Sequence, residues 1–143
     1  MSFVLHRPEV ETLSGEELRN VQLSKLRQQL VRVYEKSPYY REKFKSAGVD
    51  PHNFKSWADY AAYPFFDKEE ERISQQRSRE EFNHPFGMHV TCGVREINRV
   101  SASSGTTGLP TYVGYTARDR AVSEDNFARM VARTGLVRGD RVM

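Results

Sequence analysis

The chain reads as α/β in class, and as α+β over these 143 residues. A helical N-terminal subdomain across residues 1–78 precedes the truncated beginning of an α/β domain across residues 79–143. Three observations predict this. Capped segments with apolar residues at helical spacing fill the first half. From residue 96 the pattern becomes strand, glycine-rich loop, strand, helix, turn and the start of another strand, the order of an α/β unit. Hydrophobic (38%) and charged (29%) content are balanced as in a folded domain with a real core.

The first helix opens on a capping box. Ser14 is followed three residues later by Glu17, with Leu13 and Leu18 placed as a hydrophobic staple. Leu18, Val21, Leu26, Leu30, Val33 and Tyr34 then form an apolar stripe to about residue 35. Ser37-Pro38 restarts a helix, with a cap and a proline at the first position, and Gly48 ends it. Asp50-Pro51 marks a turn. Ser56 with Asp59 begins a short helix that Pro64 closes, and Asp67 with Glu70 caps a charged helix to about Gln76. The aromatics of this half (Tyr39, Tyr40, Phe44, Trp57, Tyr60, Tyr63, Phe65, Phe66) suit either a core or an aromatic ligand pocket. Burial preferences favour the core.

Residues 79–95 carry Asn83, Pro85, Gly87 and Gly93 with little periodicity and read as loop, with a short strand at residues 88–91. Residues 96–102 and 111–116 read as two strands of a hairpin. Thr116 with Asp119 makes another capping box. The helix that follows sets Val122, Phe127, Met130, Val131 and Thr134 on one face, and Gly135 terminates it. The chain closes on Gly139-Asp-Arg-Val-Met143, a turn and the first residues of a strand, which predicts that it is the N-terminal piece of a longer protein.

Bulk properties narrow the function. The net charge of +3 is spread among interleaved acidic and basic residues, with no basic stripe for nucleic acid. Cys92 is alone, so no disulfide framework or thiolate metal site arises within the chain. His6, His52, His84 and His89 lack metal-ligand spacing. No apolar run spans a membrane and no signal-peptide pattern opens the chain, so a reducing cytoplasm is the expected compartment.

The chemistry-bearing stretch is Ser101-Ala-Ser-Ser-Gly-Thr-Thr-Gly-Leu-Pro-Thr111. Its glycines let successive N–H groups turn toward one point, and its hydroxyls add donors without bulk, which suits an anion such as a nucleotide phosphate. An ordinary polar turn accounts for the same composition. The stretch is not a P-loop, because Leu109 follows Gly108 where that motif needs lysine.

Ser103-Ser-Gly-Thr-Thr-Gly-Leu-Pro-Thr111 with Val113-Gly-Tyr-Thr116 resembles the phosphate-binding motif of phenylacetate–coenzyme A ligases, members of the adenylate-forming superfamily. The resemblance continues through Glu11-Thr-Leu-Ser14, Val33-Tyr-Glu-Lys-Ser-Pro-Tyr-Tyr-Arg41, Phe44-Lys-Ser-Ala-Gly-Val-Asp50, Tyr63-Pro-Phe65 and Gly135-Leu-Val-Arg-Gly-Asp140, in the same order. It implies a large α/β domain that begins here and a small mobile C-terminal domain. It also implies ATP, Mg²⁺ and coenzyme A as cofactors and an aryl carboxylic acid as substrate, with no nucleic-acid or membrane partner and a homodimer left open. By it, Ser103, Ser104, Gly105, Thr106, Thr107 and Gly108 bind the ATP phosphates. The catalytic groups are expected beyond Met143, so the chain alone is expected to be inactive.

One departure from the family concerns charge. Relatives commonly carry a lysine beside the loop proline, where this chain has Leu109 and Thr111; Arg118 and Arg120 are the nearby substitutes in sequence. Two other functions stay open at this level. One is an adenylating ligase for a different aryl acid or for a deazaflavin coenzyme. The other is a non-catalytic helical interaction module.

Overall fold

The computed structural model describes residues 5–103, 110–136 and 139–141. Six α-helices and one antiparallel hairpin are present among them: α1 (Pro8–Glu11), α2 (Gly15–Lys36), α3 (Pro38–Ser46), α4 (Trp57–Tyr60), α5 (Lys68–Phe82), β1 (Ile97–Ala102), β2 (Tyr112–Thr116) and α6 (Ala117–Arg133). The helix starts fall where the local chemistry places them. Ser14, Asp67 and Thr116 each accept the N–H of the residue three positions on, and Glu17, Glu70 and Asp119 reach back to the cap. Pro38 opens α3 behind the Ser37 cap. Gly48 and Gly135, at φ 68° and 82°, take the left-handed conformation just past α3 and α6.

Two expectations are corrected. The strand expected at residues 88–91 is a turn. Its backbone is bonded to helices instead: Met88 N–H donates to Ser74 Oγ (2.8 Å), and the Met88 carbonyl accepts from Ser37 Oγ (3.1 Å). The charged helix expected to end near Gln76 continues to Phe82, where Asn83 at φ 54° closes it. Asparagine tolerates the left-handed region through its short polar side chain, which makes it a workable helix stop without glycine. The short turn α1, with Pro8 at its start, is not anticipated by the sequence reading.

The apolar core belongs to the helical half. Leu30 of α2, Phe44 of α3 and Phe54 are buried, with Leu26, Val33, Tyr40 and Tyr63 packed around them. Tyr63 meets Phe44 and Phe54 edge-on, with ring centroids 5.1 and 5.6 Å away, a favoured aromatic geometry. The core expectation therefore holds for the inner rings and fails at the rim: Phe65 is 89% exposed and Tyr60 is also exposed. The rim residues instead border a cleft shared with Leu26, Val33 and Phe66.

A second, polar seam joins α5 to the chain that follows it. Ser74, Gln75 and Ser78 are all buried. Ser78 Oγ donates to the His84 carbonyl (2.7 Å) and accepts Gly87 N–H (3.0 Å), and Ser74 Oγ lies 2.9 Å from His89 Nδ1. His89 packs against Phe66 and Tyr39, and this burial pushes its pKa down, opposed by the charge of Glu71. A histidine depressed on folding binds more protons when unfolded, so its stabilising contribution is full above the unfolded value near 6.5 and is lost as pH falls through the lower folded value. The stability of the chain, read by urea melts from pH 7.5 to 5.5, is expected to fall across that window. His89→Gln should flatten the profile; an unchanged slope would assign the titration elsewhere.

Candidate functional site

The hairpin brings the two ends of the Ser/Thr/Gly stretch together. β1 and β2 pair antiparallel, with Val100 opposite Gly114 and Ala102 opposite Tyr112. At Gly114 a Cβ would stand 2.6 Å from Ile97 Cδ1, so the glycine lets the Ile97 side chain lie against β2 without shifting. Past the last ladder pair the strands remain joined at Ser103 and Thr111. Ser103 N–H donates to the Thr111 carbonyl (2.9 Å), Thr111 N–H donates to Ser103 Oγ (3.0 Å), and the two hydroxyls are 3.1 Å apart. Thr111 is 3% exposed. Ser103 thus closes the neck of the loop. Ser104, Gly105, Thr106, Thr107 and Gly108, the other candidate phosphate-binding residues, and Leu109 lie outside the described residues.

Helix α5 grips the same neck from the side. Gln75 Nε2 donates to the Tyr112 carbonyl (2.8 Å), and Gln75 Oε1 accepts Tyr112 N–H (3.0 Å). A single side chain therefore satisfies both backbone groups of the first β2 residue, as a neighbouring strand would. Arg79 lies over the Tyr112 ring, 5.5 Å from its centroid, a cation–π contact. One helical turn before Glu71, Lys68 Nζ donates to Thr111 Oγ1 at 2.5 Å, and it is ion-paired to Glu71 at 3.0 Å. Beside it, Lys43 of α3 bonds Glu70 and holds that carboxyl below its usual range, while burial and then Glu70 push the Tyr39 phenol up.

The arginines proposed from sequence stand elsewhere. Thr111 and Thr116 bound β2, and five residues of strand span about 17 Å. Arg118 follows Thr116, at the far end of the strand from the neck, and borders a cleft with Arg32 and Asp119. Arg120 is committed to an exposed pair with Glu124 (3.1 Å). Lys68 escapes the sequence reading because nothing local marks it: it is one of several charges in Asp67-Lys-Glu-Glu-Glu71, and the fold brings it to Thr111 across 43 positions. Gln75 escapes it for the same reason.

Two further observations bound the chemistry. Among the described residues no group of three or more His, Cys, Asp or Glu side chains could hold a metal ion. No helix among them is long and apolar enough to cross a membrane.

Known proteins resemble this chain in sequence and fold. Over 132 residues the chain is 39% identical to the phenylacetate-coenzyme A ligase of Thermus thermophilus and 41% identical to that of Aromatoleum evansii. Each match takes in 92% of this chain and 27% of the relative. The Escherichia coli phenylacetate-coenzyme A ligase is 38% identical over 125 residues, 87% of this chain and 25% of that protein. The chain therefore spans about a quarter of the length of the curated relatives it matches. Among solved structures, 2-hydroxyisobutyryl-CoA ligase in complex with 2-HIB-AMP and CoA, in the thioesterification state, is similar at a TM-score of 0.83 and 34% identity. That likeness covers 93% of this chain and 27% of the solved one. The same enzyme in its postadenylation state with 2-HIB-AMP gives 0.83 and 30%. No protein-family model matches the chain.

Proposed function

We propose, from the premise that this chain corresponds in sequence and fold to the N-terminal part of adenylate-forming CoA ligases, that it is the phosphate-loop region of an ATP-dependent acid–CoA ligase. The substrate proposed is an aryl acid of the phenylacetate type. The single observation that carries the reading is the similarity to four phenylacetate-coenzyme A ligases, 37–41% identical along about 90% of the chain. In the reaction, a carboxylate oxygen forms a bond to the α-phosphorus of ATP as the bond to pyrophosphate breaks. The thiol of coenzyme A then displaces AMP to give the thioester. Developing charge on phosphate oxygens is what such a loop is suited to hold, by N–H and hydroxyl donors fixed beforehand.

The ligands named for the solved relative, an acyl-AMP and CoA, support the two half-reactions. They also support a second acid class, since the 2-hydroxyisobutyryl group is aliphatic. The exposed apolar face of α6, with Val122 at 56%, Phe127 at 62% and Met130 at 58%, supports a surface on which further ligase structure packs. A non-catalytic interaction module would expose the same face.

ATP–pyrophosphate exchange separates these readings. In a polypeptide extended to the length of the relatives, exchange is expected to depend on phenylacetate or a related aryl acid. The 143-residue chain alone is expected to give none. Exchange with aliphatic hydroxy acids only would move the substrate class, and robust exchange by the short chain would show that essential groups lie within it.

A further inference from the structure

We infer that residues 6–11 form an electrostatic strap, docked along α6 by opposite charges, which ties the N-terminal segment to the helix that follows the hairpin. The strap joins the two halves of the chain: Glu11 meets Arg133 across 122 positions. Helix α1 has little else to hold it, being four residues long with none of them buried as a whole. A single turn of isolated helix is unstable in water, because nucleation fixes several residues for few hydrogen bonds. Its order therefore depends on what it docks against.

Two contacts hold the strap, and they differ in exposure. At the inner one the Glu11 side chain is 1% exposed. Its Oε1 accepts Arg7 N–H at 2.7 Å and lies 3.8 Å from Arg129 Nε, a buried atom with no hydrogen bond among the described residues. Its Oε2 accepts from Arg133 Nε and Nη2 at 3.1 and 3.0 Å. The Arg7 N–H and the two guanidinium groups hold this carboxyl below its usual range. At the outer contact, His6 Nε2 and Arg7 Nη1 lie 3.2 and 3.4 Å from the two oxygens of Asp125. Asp125 is half-buried and its partners are exposed, so salt screens this end more than the Glu11 end.

Spacing fixes the register. Asp125, Arg129 and Arg133 stand four residues apart, one stripe along α6. In chain direction the stripe is acidic and then basic, whereas the strap is basic at His6 and Arg7 and then acidic at Glu11. Sliding the strap one turn toward the C-terminus of α6 would set Arg7 against Arg129. Sliding it the other way would set Glu11 beside Asp125. Like charges brought together penalise both alternatives.

Amide hydrogen exchange in the whole polypeptide that carries this chain reads the strap directly. The N–H groups of Val10 and Glu11 bond the Arg7 carbonyl, and that of Thr12 bonds the Pro8 carbonyl. Their protection reports the docked state, and the middle of α3 reports the fold at large. Glu11→Gln keeps the shape and an oxygen for Arg7 N–H but removes the charge. It is expected to speed exchange at residues 10–12 about tenfold, the effect of losing charge-assisted hydrogen bonds, with α3 unchanged. Arg129→Gln combined with Arg133→Gln should do the same while leaving the strap's own sequence intact, which separates docking from the local turn. In the parent, raising NaCl from about 0.02 M to about 0.5 M should speed the same amides roughly threefold. Unchanged protection in the arginine pair, or parent exchange that ignores salt, would overturn the inference and leave a segment held by packing. Equal losses in the strap and in α3 would overturn it too, since the ion pairs would then support the fold as a whole.

Discussion

Gln75→Ala is expected to lower the stability of the chain by about 3 kcal/mol, the cost of stranding two part-buried backbone groups and opening a void where the buried side chain stood. For a domain of this size that corresponds to a fall in melting temperature of roughly 10 °C. The reason is specific to the contact. Gln75 is 1% exposed and is the bonding partner of both the N–H and the carbonyl of Tyr112, so truncation leaves a donor and an acceptor without their partner in a part-buried site. Gln75→Glu keeps the shape but cannot donate to the Tyr112 carbonyl in its ionised form, and it buries a charge; it should be no more stable than the alanine variant at neutral pH. Hydrogen exchange supplies the local readout. The Tyr112 amide should lose protection in Gln75→Ala more than the amides in the middle of α2 do. Equal loss at both places would mean that Gln75 contributes only to global stability and does not position the strand beneath the loop.

Gly87→Ala is the second large effect, expected at roughly 3 kcal/mol, the sum of a backbone cost and a lost hydrogen bond with its repacking. A Cβ at position 87 would stand 2.2 Å from His89 Cε1 and 2.4 Å from Nδ1, and φ is +88°. The left-handed backbone alone costs an alanine roughly 1–2 kcal/mol. Relieving the clash requires the His89 ring to swing off Ser74 Oγ, which forfeits a hydrogen bond of about 1 kcal/mol. Gly15→Ala is the matched control, because a methyl group at that glycine would meet nothing within 4 Å and the residue begins a helix. It should be neutral or slightly stabilising. Urea midpoints of the two variants measured together decide the point. A Gly87→Ala midpoint equal to that of Gly15→Ala would show that the seam around His89 repacks without cost.

These two sites also show how far the sequence could be read. The helix starts were legible because each depends on a hydrogen bond closed within three residues: Ser14 with Glu17, Asp67 with Glu70, Thr116 with Asp119. The hairpin was legible from a change of periodicity around a glycine-rich run, and β1 and β2 begin within a residue of expectation. The stop of α5 was not, because Asn83 ends a helix only when the following chain has somewhere to go. That place is the row of Ser74 and Ser78, whose hydroxyls serve residues 84–88. A serine–glutamine face in a charged helix reads as solvated until its partners are known.

The sequence by itself determined where helices begin, that a hydroxyl- and glycine-rich stretch joins two strands, and which ligases the chain resembles. Each of these is carried by residues close together along the chain or by their order in it. The tertiary structure decided which polar residues are buried, that Phe65 and the apolar side of α6 face outward among the described residues, and that Lys68 reaches Thr111. Those outcomes depend on contacts between segments tens of residues apart, whose free energies come from burial and pairing across elements and leave no local periodicity to read. The composition of the loop is written in its own residues, whereas the lysine at its neck comes from a different helix.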